Sequence, residues 1–262
     1  MGYLNNQTGY RESLLDNRSI VKKNNYVVLE PDGLVKNVIP GYENCDTTIL
    51  GCPEMGATFA DYLVTAHADG KNAAGIGGDG IESFLYVISG AVSVKNADES
   101  ADLTEGGYMY SPADKPMTFE NKSGEDAKLY VYRRRYIPLE GHSAHTVVGN
   151  ANDIAYMDYE GMTNAQSKDL LPAGEDLGFD INMHFLKFEP GASHGYLETH
   201  IQQHSMYFLQ GKGMYNLDGD WMPLQAGDYV FMDSFVPQGC YGVGTEDYIY
   251  IYSKDCNRDV QL

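Results

Sequence analysis

The sequence predicts an all-β protein made of two tandem β-barrel modules. Two observations carry that prediction. Short apolar runs ended or opened by turn glycines recur, as in S-M-Y-F-L-Q-G at residues 205–211 and G-D-Y-V-F-M at residues 227–232, while helix signals are sparse. One set of residues also returns 121 positions later: Gly70, Tyr86, Gly90, Gly106, Tyr108 and Pro116 match Gly191, Tyr207, Gly211, Gly227, Tyr229 and Pro237. A fixed offset over that span marks a duplicated unit. The register then slips by one, so that Tyr130, Tyr132 and Arg134 match Tyr250, Tyr252 and Lys254.

The elements follow in chain order. Residues 1 to about 50 read as an arm, with turn signals at Pro31-Asp32-Gly33 and Pro40-Gly41. The first module runs to about Pro138. Residues 139–176 form a polar, glycine-containing connection, expected to lend strands to the second module, for example H-T-V-V-G at 145–149. The best short helix candidate is Ala165 to Leu171. The second core opens at F-D-I-N-M-H-F, residues 179–185, a clean alternation of period two. The expected division is 1–140 for the arm and first barrel, and 141–262 for the second. A chain of 262 residues has ample length to bury such cores.

Charge excludes some partners. Asp and Glu outnumber Lys and Arg by 37 to 18, a formal net charge of −19. Nucleic acid and anionic membrane both demand clustered positive charge. A small anionic substrate remains open, provided a metal or lysine offsets the field locally. No apolar run reaches membrane-spanning length, and M-G-Y-L-N-N has neither the basic lead nor the apolar stretch of a signal peptide. The expected compartment is cytoplasmic. Cys45, Cys52, Cys240 and Cys256 form neither a zinc spacing nor a disulfide framework.

The chemistry gathers in P-G-A-S-H-G-Y-L-E-T-H-I-Q-Q-H, residues 190–204, and at Gln238. Glu198 and His200 share parity, so one strand face can present both. The intervening I-Q-Q is long enough to return His204 to that side. Gln238 follows Val236-Pro237 at the end of the next apolar run. Imidazole and carboxylate are ordinary ligands of divalent transition metals, and an amide oxygen is a less usual fourth. Cys240 is a lesser rival, read as packing. At the 121-residue offset these four positions hold Gly77, Asp79, Ser83 and Met117, so one metal per chain, in the second module, is expected. Glu82 is read as a non-ligand.

This pattern resembles the cupin superfamily, whose motifs run G-x5-H-x-H-x3-4-E-x6-G and G-x5-P-x-G-x2-H. Glu198 stands at the first His, His200 keeps its place, His204 takes the Glu position and Gln238 the last His. Gly191 lies one residue too far from Glu198. Among bicupins the permuted set resembles the (S)-ureidoglycine aminohydrolases, through M-G-Y-L-N-N-x-T-G-Y-R, D-G-L-V-K-N, F-x-P-G-A-S-H-G-Y-x-E-T-H and Y-I-Y-S-K-D-C-N-R-D.

The resemblance implies two jelly-roll (double-stranded β-helix) barrels, Mn²⁺ and a homo-oligomer, tetramer to octamer. It implies metal ligands Glu198, His200, His204 and Gln238. Substrate contacts fall on Tyr215, Tyr250 and Lys254 beside Glu198 and Gln238, with Glu198 and Lys254 catalytic. The implied reaction takes (S)-2-ureidoglycine and water to (S)-ureidoglycolate and ammonia, a step of purine and allantoin catabolism. The donor set has no thiolate and suits Mn²⁺, with Fe, Co, Ni and Zn left open. Two other classes compete: a cupin oxygenase using Fe or Cu, and a non-catalytic bicupin that binds metal or a small acid.

Overall fold

The computed structural model describes residues 2–3, 18–31 and 34–260. The family-like opening from Leu4 to Arg11 lies outside the described residues, as do Asp32 and Gly33 of the first turn. The second turn forms: Tyr42 N–H bonds Ile39 O at 3.1 Å around Gly41, whose φ is +90°. Only glycine adopts that conformation without a steric cost.

The fold is all-β. One large sheet carries Phe59–Ile76, Ile81–Ser89, Gly107–Ser111, Met117–Glu120 and Ala127–Arg135. A second carries Ile181–Phe188, His204–Gln210, Tyr229–Met232 and Tyr248–Asp255, closed by a smaller sheet of Lys212–Leu217, Asp220–Gln225 and Gln238–Val243. The strands keep the repeat: Gly107–Ser111 matches Tyr229–Met232, and Ala127–Arg135 matches Tyr248–Asp255. Positions matching the ligand set have structural duties. Gly77 has φ +86°, Ser83 Oγ bonds Ile76 O at 3.2 Å, and Met117 is fully buried in the first core. Glu82 accepts the Tyr110 hydroxyl at 2.5 Å.

Two local expectations are corrected. The Ala165–Leu171 helix is instead mostly strand, Met162–Asp169, because Ala165 to Asp169 pair with Phe188 to His184. Sheet pairing overrode a weak helix preference. The strand near residue 147 (Val147–Asn150) pairs with Gly107–Ser111 of the first sheet, not with the second module. In the opposite direction, Tyr26–Leu29 of the arm pairs with Tyr229–Met232. Each sheet therefore takes strands from beyond the 140/141 division.

Period-two alternation sorts the side chains into three cores. Leu85, Met109, Leu129 and Val131 fill the first barrel. Met206, Phe208, Val230 and Tyr250 fill the second. The alternate residues, among them Phe84, Tyr108, Tyr130, Phe185, Tyr207 and Phe231, form a third core between the barrels. Aromatic pairs cross it, Phe59 to Phe231 at 5.8 Å and Tyr130 to Tyr207 at 6.1 Å. Such pairs contribute about 0.5–1.5 kcal/mol each beyond burial.

Asp61 is fully buried in that interface and accepts the Tyr229 hydroxyl at 2.6 Å. Burial raises its carboxyl to about 7, against the opposing pull of the Tyr229, Ser205 and Tyr130 hydroxyls. An unfolded Asp titrates near about 3.9. Between those values the native chain holds a proton that the unfolded chain has released. Stability from this group is therefore full below about pH 4 and lost as pH rises through about 7. Asp61→Asn never ionises and keeps an acceptor for Tyr229. It is expected to flatten that loss, by up to about 4 kcal/mol. Urea midpoints of both proteins at acid and alkaline pH check this; parallel curves contradict it.

Candidate active site

His204 opens the strand His204–Gln210, between Met232 on one side and Lys254 on the other. Its parity matches Met206 and Phe208, so it points into the second barrel. Gln238 opens Gln238–Val243 and faces Glu198 across a two-way backbone bridge, 2.9 Å in each direction. That bridge carries the Glu198 loop to the barrel rim. Thr199 Oγ1 donates to Phe235 O at 2.8 Å, and Phe235 N–H to His200 O at 2.7 Å. Phe235 sits at φ +63°, an uncommon conformation for a residue with a side chain.

Glu198, His204, Tyr215, Gln238, Tyr250 and Lys254 line one cavity. His200 stands against it, with Nε2 3.1 Å from His204 Nε2 and 3.1 Å from Gln238 Nε2. The cavity holds about 10 Å³ of free space, roughly one water. Glu198 and Lys254 in its lining are half-buried. A larger cavity of about 640 Å³ lies on the first barrel, among Lys71, Lys95, Asp102 and Lys122. It has no imidazole and no thiol in its lining, whereas His204, Glu198 and Lys254 line the smaller cavity.

The two imidazoles set the donor chemistry of the site. His204 Nδ1 lies 2.8 Å from Ser253 O, and His200 Nδ1 lies 3.1 Å from Gln202 O. A carbonyl only accepts, so both Nδ1 atoms carry hydrogen and both Nε2 atoms are bare lone pairs. Burial, aided by the Lys254 charge, lowers both rings below the ordinary histidine range, so they are neutral near pH 7. Two lone pairs facing each other at 3.1 Å repel, and the arrangement suits two donors to one cation. This is the tautomer state and orientation that metal-ligating histidines adopt.

Gln238 fits the same reading. Its Oε1 accepts the Tyr215 hydroxyl at 3.0 Å, and that hydroxyl also reaches Met206 Sδ at 3.3 Å. A half-turn of the amide exchanges its oxygen and nitrogen. The NH₂ then donates to Tyr215, Tyr215 donates to Met206, and Oε1 faces the histidines. Glu198 is a step away: among the described residues, no three His, Cys, Asp or Glu side chains come close enough to hold an ion. Its carboxyl is raised by burial, with Lys254 pulling down and Glu160 pushing up. Cys240 is 2% exposed, and burial holds its thiol well above the usual range, so it is packing rather than a thiolate donor.

Sequence reasoning missed three residues here. Tyr252 lines the cavity and touches the His204 ring edge at 5.2 Å between centroids. Its parity with Tyr250 and Lys254 was a usable signal. Tyr159 also lines the cavity but comes from the connection, where no local pattern marks it. His194 accepts the Cys240 N–H at 3.0 Å and so braces the Gln238 strand. Burial lowers its ring to about 4, which keeps that acceptor unprotonated.

The metal-type donor set inside a duplicated barrel defines a cupin, and residues 184–252 match the family model of a cupin domain. The chain is 56% identical to "(S)-ureidoglycine aminohydrolase" of Escherichia coli strain K12, with 100% of both chains covered. It is 31% identical to "(S)-ureidoglycine aminohydrolase" of Arabidopsis thaliana, over 92% of this chain and 79% of that one. A crystal structure of protein Ylba from E. coli superposes with a TM-score of 0.87 at 52% identity, over 97% of this chain and 100% of the other. The chain belongs to the (S)-ureidoglycine aminohydrolase family.

Proposed function

We propose that this chain hydrolyses (S)-2-ureidoglycine to (S)-ureidoglycolate and ammonia, with one Mn²⁺ per chain in the second barrel. The observation that carries the metal is the pair of facing Nε2 lone pairs on His200 and His204. The similarity to aminohydrolases along the whole chain supports the reaction. Glu198, His200, His204 and Gln238 would hold the ion. When bound, it supplies a positive template and Lewis acidity at the reacting carbon's substituents.

The chain's own residues do the rest. Lys254 offers up to three N–H donors and a positive charge to the substrate carboxylate. In a protein of net charge −19, that local charge offsets the general repulsion of an anion. Tyr215 and Tyr250, 1% and 2% exposed, keep their hydroxyls protonated because burial raises both well above the usual range. Tyr250 orients the ureido group as a donor, while Tyr215, whose one hydrogen goes to Met206, offers it a lone pair. Glu198, once it swings off the ion, moves a proton from the attacking water to the departing amine. The C–N bond to the amine breaks, a C–O bond forms from water, and the proton leaves with ammonia.

The reading places the reaction in purine and allantoin catabolism, with a homo-oligomer as the working state. Among the described residues no helix is long and apolar enough to cross a membrane. Ammonia release from freshly generated (S)-ureidoglycine tests the proposal, with oxygen uptake followed alongside. Oxygen consumption without ammonia would assign the site to the oxygenase class instead.

A further inference from the structure

We infer that the first barrel is part of the metal-site machinery: Tyr130 and the Gln203 clamp hold the histidine pair in place from across the barrel interface. This rests on the metal reading above. The wall between site and interface is one strand thick. His204 points into the second barrel, and its neighbour Ser205 points to the opposite face. Tyr130, on Ala127–Arg135 of the first sheet, lies with its hydroxyl 2.7 Å from Ser205 Oγ. Ser205 Oγ lies 2.9 Å from Ser253 Oγ, and Ser205 N–H donates to that same Oγ at 3.2 Å. Ser253 is the residue whose carbonyl takes the His204 Nδ1 proton.

Polar contacts therefore run from the first barrel to the Ser253 side chain, and the backbone of that same residue presents the carbonyl to His204 Nδ1. Tyr130 and Ser205 are fully buried, Ser253 is 1% exposed and His204 3%. Water cannot replace a missing link there. Loss of the Tyr130 hydroxyl leaves Ser205 held on that side by Asp61 alone, and the serine pair that carries the Ser253 carbonyl is held less firmly.

A second contact grips the same turn independently. Gln203, between the two histidines, accepts from Thr58 N–H and Thr58 Oγ1, both at 2.9 Å. Its amide donates to Gly56 O at 2.9 Å and to Asp233 Oδ1 at 2.7 Å. Gly56 and Thr58 precede the first long strand of the first barrel, Phe59–Ile76. The barrel without ligands thus touches the ligand-bearing segment at its strand and at its turn. Tyr130 and Gln203 are positioning residues, since neither touches the ion or the substrate.

The test compares Tyr130→Phe and Gln203→Ala with Tyr108→Phe. Tyr108 is another buried first-barrel tyrosine whose hydroxyl crosses the interface to Leu170 O at 2.8 Å, away from His204. Mn²⁺ affinity is read by equilibrium dialysis. In metal-free protein, the ¹⁵N signals of the His204 ring report its tautomer. Tyr130→Phe and Gln203→Ala are each expected to weaken Mn²⁺ binding about tenfold, the low end for groups that orient metal ligands. Tyr130→Phe should also turn the single Nδ1–H form into a mixture, while Tyr108→Phe changes neither readout. Wild-type affinity and tautomer in Tyr130→Phe would overturn the inference, as would an equal loss in Tyr108→Phe. If wild-type protein takes up no Mn²⁺, the metal reading falls, and the ring signals alone decide this one.

Discussion

His204→Ala is expected to abolish metal binding and ammonia release together and to leave the β fold intact. His204 Nδ1 lies against Ser253 O, which leaves its Nε2 facing His200, and the residue is 3% exposed in the cavity lining. Without it, His200 and Gln238 remain as two neutral donors on a rim segment, with Glu198 a step away. Groups that merely orient a ligand are worth about 10–100-fold, so loss of the ligand itself should exceed a hundredfold in affinity and activity. The fold should survive because three separate apolar cores hold the barrels, and none is built around the ion. Small zinc domains behave differently, since metal binding is their folding energy. Elemental analysis, an ammonia assay and a circular dichroism melt check this. A variant that keeps its metal, or one unfolded at room temperature, contradicts it.

Lys254→Met is expected to raise KM sharply and leave metal content unchanged. Lys254 sits between His204 and Asn182 in register, half-buried at the cavity. Its charge already acts on Glu198, His200 and His204. A charge-assisted hydrogen bond there contributes about 1.5–3 kcal/mol. That corresponds to roughly a tenfold to hundredfold loss in kcat/KM. Metal binding should hold or tighten, because a cation beside the site has been removed. Lys254→Arg should rescue in part, since its planar fork is bulkier and differently directed. Wild-type kinetics in Lys254→Met would leave the substrate carboxylate to the ion and backbone alone.

What the sequence disclosed follows from which signals are local. Turn glycines and strand alternation are local, so the duplicated all-β architecture was readable from Gly70 and Gly191 onward. Parity on a strand is local too, and Tyr250 and Lys254, which share it, both line the one cavity. Strand partnership is not. The Tyr26–Leu29 strand completes a sheet some two hundred residues away, and Val147–Asn150 returns to the first sheet. Neither segment says so in its own residues. The stretch from Ala165 became strand because Ile181–Phe188 offered it an edge. Tyr159, Tyr130 and Gln203 were invisible as site residues for the same reason. Each earns its place through a contact with a segment far along the chain.

We propose above that the second barrel's histidine pair holds a catalytic Mn²⁺. The most direct measurement follows ammonia release from freshly generated (S)-ureidoglycine while Mn²⁺ is returned to metal-stripped protein. The account predicts that the enzymatic rate, absent after stripping, rises linearly and breaks at one equivalent per chain. A full rate in stripped protein, a break at two equivalents, or no ammonia above the spontaneous rate at any Mn²⁺ level would contradict it.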